Sequence, residues 1–209
     1  MEPLDLTKTY KPYFTAKAQP GLIDIEPAQF LSITGIGDPS QKAFSEKIQA
    51  LYSTAYTLKF TFKALQKDFK VSKLEGQWWF DENKYSAPSM TETALNIPRD
   101  VWEYRLLIRI PDFITEDDVR TAISSVVSKK EILLAKDVEL FRMTEGKCVQ
   151  MLHVGPFSKE VETLKQMEIF MSENNLGKNG LHHEIYLSDF RKTSEDKLKT
   201  ILREPVRFA

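Results

Sequence analysis

The chain has one cysteine, Cys148, so it can form no internal disulfide and offers no cysteine-rich metal site. No apolar run approaches the roughly 20 residues of a membrane span. The opening MEPLDLTKTYKPYF lacks the apolar core of a secretion signal, and the expectation is a cytoplasmic protein. Charge of one sign is missing as well. Lys and Arg total 29 against 30 Asp and Glu, mixed along the chain, so no global field steers it to nucleic acid or an acidic membrane. There is no Ser-His-Asp set, phosphate-cradling glycine loop or dinucleotide fingerprint; GIGDPS reads as a turn, and no cofactor is implied. What remains is 209 residues, 42% hydrophobic and 28% charged, enough to bury a substantial core without covalent staples.

Pro3, Pro12, Pro20 and Gly21 make residues 1–23 an extended arm, with Tyr10, Tyr13 and Phe14 as anchors. FLSITGIG is rich in strand formers and ends in the turn Gly37-Asp38-Pro39. From Gln41 to Leu65 the residues Phe44, Ile48, Leu51, Ala55, Leu58 and Phe62 recur at three and four, which predicts a long amphipathic helix. FKVSKLEGQWWF reads as a strand, residues 81–98 (Asn83, Ser86, Pro88, Ser89, Pro98) as a loop excursion, and VWEYRLLIRI as a strand stopped by Pro111-Asp112. Thr115 to Ile132 is a helix with acids in its first turn and lysines at its end, aligned with its own dipole. VELFRM and CVQMLHV read as a hairpin across Thr144-Glu145-Gly146. Gly155-Pro156 then leads into a helix from Ser158 to about Asn174, followed by the strands HHEIYLSDF and LKTILREPVRF.

The order strand, Gly turn, helix, strand with a glutamate, strand occurs twice, setting Gly37 against Gly155 and Glu75 against Glu184. The expected fold is α+β: a pseudo-twofold duplication of a strand-helix-strand-strand module, antiparallel sheets with helices on one side, and a central ligand groove. Residues 1–209 form a single domain in this reading, with the arm at 1–23, a first module at 24–114 and a second at 115–209.

Strands alternate faces with period two. Glu75, Gln77 and Trp79 share one face of LEGQWW, opposite Leu74, Gly76, Trp78 and Phe80; Glu184 and Tyr186 share a face opposite Ile185 and Leu187. The apolar faces are the natural ones to pack under helices, which turns Trp78 to the core and Trp79 to the ligand. The other faces then line a groove of carboxylates and rings, suited to a flat, apolar, cationic small molecule or to acid–base chemistry. The alternative for each glutamate is a solvent-facing place at a sheet edge, or pairing with Lys73.

His182 and His183 are consecutive strand residues and point to opposite faces, so they do not build a metal site together. His153 stands before the Gly155 turn, either hydrogen-bonded or at the groove border. Cys148 reads as a small core residue. Tyr52 and Tyr56, four apart on the long helix, are core or groove wall. Trp102 and Tyr104 alternate with Leu106 and Ile108; packing is their default and ligand contact the alternative.

GKCVQMLHVGPFSKE…HHEIYLSDFRKTSEDKLKTILREPV resembles the C-terminal half of GyrI-like small-molecule-binding domain proteins. YKPYFTAK, SITGIGDPS, LYSTAYTLKF and KLEGQWW resemble the N-terminal half of their stand-alone bacterial branch. The resemblance implies paired modules around a ligand groove, with Glu184 as the central ligand-contacting and catalytic carboxylate and Glu75 as its counterpart. The reading of the residues themselves adds Gln77, Trp79, Trp102, Tyr104, Tyr186, Tyr52, Tyr56 and His153 as candidate ligand contacts. Relatives of this kind serve as drug-sensing modules of multidrug-responsive regulators or as gyrase inhibitors, and some stand-alone members hydrolyse cyclopropane-bearing DNA-alkylating natural products. The implied partner is a small aromatic or cationic molecule. Direct nucleic-acid binding is not expected, because the arm is too short and Pro-broken for a helix-turn-helix. A drug-sequestering, sensor or gyrase-interacting protein is the alternative, and monomer and dimer are both open. Two positions depart from the family pattern: Phe190 replaces the usual proline after LSD, and Gln77 replaces a leucine in LEGLWW.

Overall fold

The computed structural model describes residues 2–85 and 89–208; Ser86 and Pro88 of the expected excursion lie outside the described residues. Period-3.6 burial builds the longest helix, α2 (Lys42–Ala64), which buries Phe44, Ile48, Leu51, Ala55, Leu58 and Phe62. A short α1 (Leu6–Thr9) interrupts the arm, its N-terminus capped by Asp5. Period-two segments form β1 (Gly21–Ile25), β2 (Ala28–Ile36), β3 (Leu74–Trp79) and β4 (Glu103–Arg109). The excursion between β3 and β4 carries α3 (Met90–Asn96), where Thr91 donates from its backbone N–H and its hydroxyl to Glu168 at 3.0 and 2.6 Å. Beyond β4 come α4 (Glu116–Lys130), β5 (Glu139–Met143), β6 (Gly146–Val154), α5 (Glu160–Glu173), β7 (Leu176–Lys178), β8 (His182–Tyr186) and β9 (Lys199–Phe208). A reciprocal capping box between Thr115 and Asp118 starts α4.

The result is an α+β fold in which neighbouring strands are antiparallel, in the order β1-β6-β9-β8-β3-β4-β2-β5, with β7 on the far part of β9. The expected hairpin of VELFRM with CVQMLHV does not form. β5 pairs with β2, and β6 pairs with β1 and β9. Gly21 lies opposite Gln150, Ile25 opposite Gly146, Ala28 opposite Met143 and Ser32 opposite Glu139, all in one unbroken register. β1–β2 and β5–β6 are therefore two long bent strands running antiparallel to each other. The bends fall at Glu26-Pro27, where proline has no N–H for the ladder, and at Thr144 to Gly146, where Gly146 takes φ +67°. Because these strands link both ends of the path, the sheet curls back on itself.

Three apolar clusters follow from the curl. Outside, α2 and α4 cover Leu31, Ile33, Leu106 and Ile108, while α5 covers Val149, Met151 and Leu202. On the concave side Phe30, Leu107, Cys148, Ile185 and Ile201 are closed off by Leu6, Tyr13 and Phe14 of the arm. The arm is tied at both ends, Leu4 to residues 68 and 70 by backbone hydrogen bonds, and Lys17 O to the Leu152 N–H at 2.7 Å. No helix among the described residues is long and apolar enough to cross a membrane.

Candidate functional site

Register decides which side chains meet. Between β3 and β8, Glu75 lies opposite Ile185, Gly76 opposite Glu184, Gln77 opposite His183 and Trp78 opposite His182. Residues directly opposite share a face. Glu184, His182 and Tyr186 thus stand with Gly76 and Trp78 on the outer, helix-bearing face. Glu75, Gln77 and Trp79 stand with His183 and Ile185 on the concave face. This corrects three expectations: Glu75, Gln77 and Trp79 do not share a face with Glu184, Trp78 rather than Trp79 stands beside it, and Ile185 packs in the concave core instead of under a helix.

The error is a single residue. Gly37 (φ +116°) donates its N–H to Trp102 O at 2.8 Å, and Gly155 (φ +133°) donates to Leu198 O at 3.0 Å. With those two bonds as equivalents, Leu106 answers to Leu202, and their strand partners are Gly76 and Glu184. The counterpart of Glu184 is Gly76, and that of Glu75 is His183. A one-residue slip in a strand exchanges its faces.

On the outer face α2 packs over β2 and β4 and α5 over β6, leaving β3 and β8 between them. The Trp78 indole N–H donates to the Tyr186 hydroxyl at 3.2 Å. Phe44 stacks on Trp78 at 5.9 Å, Tyr104 tilts against it at 5.5 Å, and Trp102 meets it edge-on at 6.5 Å. Phe157 meets Tyr186 edge-on at 5.9 Å. A Cβ on Gly76 would come within 2.9 Å of the Tyr186 hydroxyl and 3.0 Å of the Trp78 nitrogen, so glycine makes room for this pair.

Carboxylates gather beside these rings. His182 Nδ1 bonds Glu204, and its Nε2 lies 3.4 Å from Glu184 Oε1. Burial alone would lower His182, but the charges of Glu204 and Glu184 outweigh it and push it up to about 10, so an imidazolium is clamped between two carboxylates. The Glu184 side chain is 14% exposed and reaches the solvent edge. Glu160, at the start of α5, is pushed well above the usual carboxylate range, first by burial and then by the charge of Glu184, against a smaller opposing effect of His182. Burial and then Glu184 likewise raise Tyr186 well above a normal phenol.

The concave face carries a second, sealed network. The Tyr13 hydroxyl donates to Glu75 Oε2 at 2.5 Å, and His183 Nδ1 pairs with Glu145 Oε1 at 2.9 Å. His183 Nε2 lies 3.0 Å from Glu75 Oε2, close enough for charge attraction but not angled to donate to it. Arg203 donates to Glu145 Oε2 (3.0 Å), Tyr13 O (2.7 Å) and Gln150 Oε1 (3.0 and 3.2 Å). Glu75 is fully buried in this network.

A family profile for the GyrI-like small molecule binding domain matches residues 106–207. A hydrolase from Listeria innocua is 37% identical, covering 98% of this chain and 100% of its own, with a TM-score of 0.84. An uncharacterized conserved protein from Listeria innocua is 38% identical over 98% and 100%, with a TM-score of 0.86. The chain belongs to the GyrI-like family. The C-terminal domain of EcmrR, at 12% identity and a TM-score of 0.54 over 91% and 98%, shares the fold. No curated protein sequence matches.

In this GyrI-like protein the remaining sequence candidates separate. Tyr104 is fully buried between Phe44 and Trp78. Trp102 packs against Phe80 and Trp78 and donates to Ile97 O at 3.3 Å. Tyr52 is half-buried, with burial pushing its phenol up to about 12; Tyr56, 44% exposed, stacks on it at 6.3 Å. His153 is buried, its two ring nitrogens engaged by Thr163 Oγ1 (2.9 Å) and Pro156 O (3.2 Å), which locks β6 to the start of α5. Gln77 meets Met143 Sδ at 3.3 Å, and Trp79 sits under Arg105 at 5.9 Å. Sequence reasoning assigned Trp78 to the core, weighed His182 only as a metal ligand, and passed over Glu160 and Glu204. Period two had already joined Trp78 to Gly76; the strand opposite was the missing fact.

Replacing Gly76 with alanine is expected to part the Trp78–Tyr186 hydrogen bond and cost about 1–2 kcal/mol. Chemical unfolding reads the loss, and near-UV circular dichroism reads the displaced indole; an unchanged near-UV spectrum would refute the close-approach role.

Proposed function

We propose that this GyrI-like protein binds flat aromatic, cationic or electrophilic molecules on the outer β3–β8 floor. Glu184 is the ligand-contacting carboxylate, and Trp78, Tyr186 and Trp102 supply ring contacts. Residues 24–114 and 115–209 act in this reading as two modules of one domain, with 1–23 as its arm. The observation that carries the proposal is the placement of Glu184: one charged group at the solvent edge, backed by an imidazolium and bordered by the Trp78–Tyr186 pair. Rings supply stacking and cation–π attraction, and the carboxylate supplies the complementary charge. Likeness to a Listeria hydrolase along the whole chain supports a catalytic version, in which water opens a strained ring and so disarms a DNA-alkylating compound.

Ethidium, a planar aromatic cation, is the probe, with tryptophan fluorescence as the readout. Glu184→Gln should weaken binding by about 10- to 100-fold, since it removes a partly desolvated charge pair. Glu75→Gln, on the other face, should bind ethidium within about twofold of the parent if it folds. The reverse ranking of the two variants would overturn the assignment.

A further inference from the structure

The concave side of the β3–β8 pair ends in a second cavity, remote from Glu184. Lys73 stands two residues before Glu75 and Leu187 two after Ile185, so period two carries both to the concave side. There the arm and the body enclose about 500 Å³. The arm lends Thr7, Lys8, Lys11, Phe14 and Thr15, and the body lends Lys73 and Leu187.

The charges in this cavity are of one sign. Three ammonium groups line it, and no carboxylate of the described residues does. Lys8 has a weak partner on the open surface, Glu2 at 3.6 Å. Lys73 is part-buried, and its Nζ donates to a neutral group, Leu187 O, at 2.8 Å. Glu75, the carboxylate nearest to it in sequence, is engaged instead by Tyr13 and His183. A part-buried ammonium gives up hydration that one carbonyl only partly replaces, so an anion beside it is attracted more strongly than at an open lysine. The two hydroxyls are already donated, Thr7 to Asp5 at 2.6 Å and Thr15 to Lys11 O at 2.8 Å. The free donors are therefore cationic. Phe14 and Leu187, both packed in the concave apolar cluster, give the wall its apolar part.

We propose that this cavity binds small organic phosphates, with the phosphate between Lys11 and Lys73 and the carbon part against Phe14 and Leu187. Three ammonium groups less the nearby Glu2 leave two positive charges, which a phosphate dianion matches and a carboxylate does not. The volume suits a small molecule carrying one ring and one phosphate. A sheet separates this site from the Glu184 floor, so a phosphate and a planar cation are held at once. Most of the lining belongs to the arm, and Tyr13 of the arm binds Glu75 and Arg203. Occupancy therefore ties the arm down over the concave network.

Phenyl phosphate is the probe, titrated calorimetrically at low salt and neutral pH. It should bind at one site, about tenfold or more tighter than the singly charged benzoate. Ethidium affinity should stay within about twofold when phenyl phosphate is present. Lys11→Gln and Lys73→Gln should each weaken phenyl phosphate about tenfold, since each removes a charged hydrogen bond. Lys11 is exposed, so its variant reads the site even where Lys73→Gln does not fold. Lys17→Gln removes the same charge from an exposed arm position outside the cavity and should bind within about twofold of the parent. Bound phenyl phosphate should also slow hydrogen exchange of the Leu152 N–H, which donates to Lys17 O at the end of the arm. No detectable binding, or equal losses in Lys11→Gln and Lys17→Gln, would overturn the site and leave only diffuse surface charge. Inorganic phosphate binding as tightly as phenyl phosphate would overturn the organic class. Displacement of ethidium by phenyl phosphate would put the anion on the outer floor and overturn a separate site.

Discussion

Arg203→Met is expected to destabilise the folded chain by about 3–5 kcal/mol at neutral pH, read from urea unfolding. Arg203 is fully buried and binds Glu145, Gln150 and the Tyr13 carbonyl, with the Tyr13 ring 4.3 Å from its guanidinium carbon. Methionine fills much of the same volume, so packing is a small part of the loss. The large part is electrostatic. Glu145 stays in the interior with His183 as its remaining cationic partner, and an uncompensated buried charge is among the costliest defects a fold can carry. Removing both charges in Arg203→Met/Glu145→Met should recover much of the stability, because the expense lies in orphaning a partner. A single-variant loss below about 1 kcal/mol would show that the network is not a structural tie.

The two β8 histidines should make stability fall on the alkaline side. Burial alone would lower His183, but Glu145 and Glu75 outweigh it and raise it to about 9; Glu204 and Glu184 raise His182 to about 10. Both exceed the ordinary 6.5 of an unfolded histidine. A group whose folded value is raised stabilises fully below the unfolded value and loses that contribution as pH climbs through the folded one. His183 is then worth about 3 kcal/mol and His182 about 4–5 kcal/mol near pH 6, fading between roughly pH 6.5 and 10. Glu145 behaves oppositely: burial would raise it, yet His183 and Arg203 hold it at about 2, so its contribution is present above its ordinary 4.5 and is lost as pH falls through 2. Unfolding free energy should therefore peak between about pH 4.5 and 6.5. His183→Gln should start lower and show roughly half the alkaline slope; an unchanged slope would place the titration elsewhere.

The elements were largely legible because each follows from local chemistry. The apolar spacing of α2, the Thr115 cap and the turn at Gly37 are written within a few residues of one another. Period two also divided LEGQWW correctly into two faces. What the residues do not encode locally is the neighbour. Whether Glu184 faces Glu75 or Gly76 is set by a pairing more than a hundred residues apart, where an error of one residue exchanges the faces. The same limit explains the hairpin that is not there: VELFRM and CVQMLHV have proper strand composition, and β1 and β2 outcompete the short return. It also explains Glu75. A carboxylate in a buried strand looked like a functional signal; its partner is Tyr13, brought over the concave face by an arm whose destination no local pattern reveals. Glu160, ordinary in sequence at a helix start, becomes unusual through β8 and β9.

The long ladder of β1–β2 with β5–β6 also bears on how the chain reaches this state. Gly21 pairs with Gln150 and Ser32 with Glu139, so the N-terminal portion holds its leading strand against a segment made much later in synthesis. Contact order is correspondingly high, and the loop-closure entropy of bringing these segments together is met before most of their contacts can repay it. Neither portion can finish its own hydrogen-bonded edge, so the halves depend on each other to fold. Cooperativity then extends over the entire molecule.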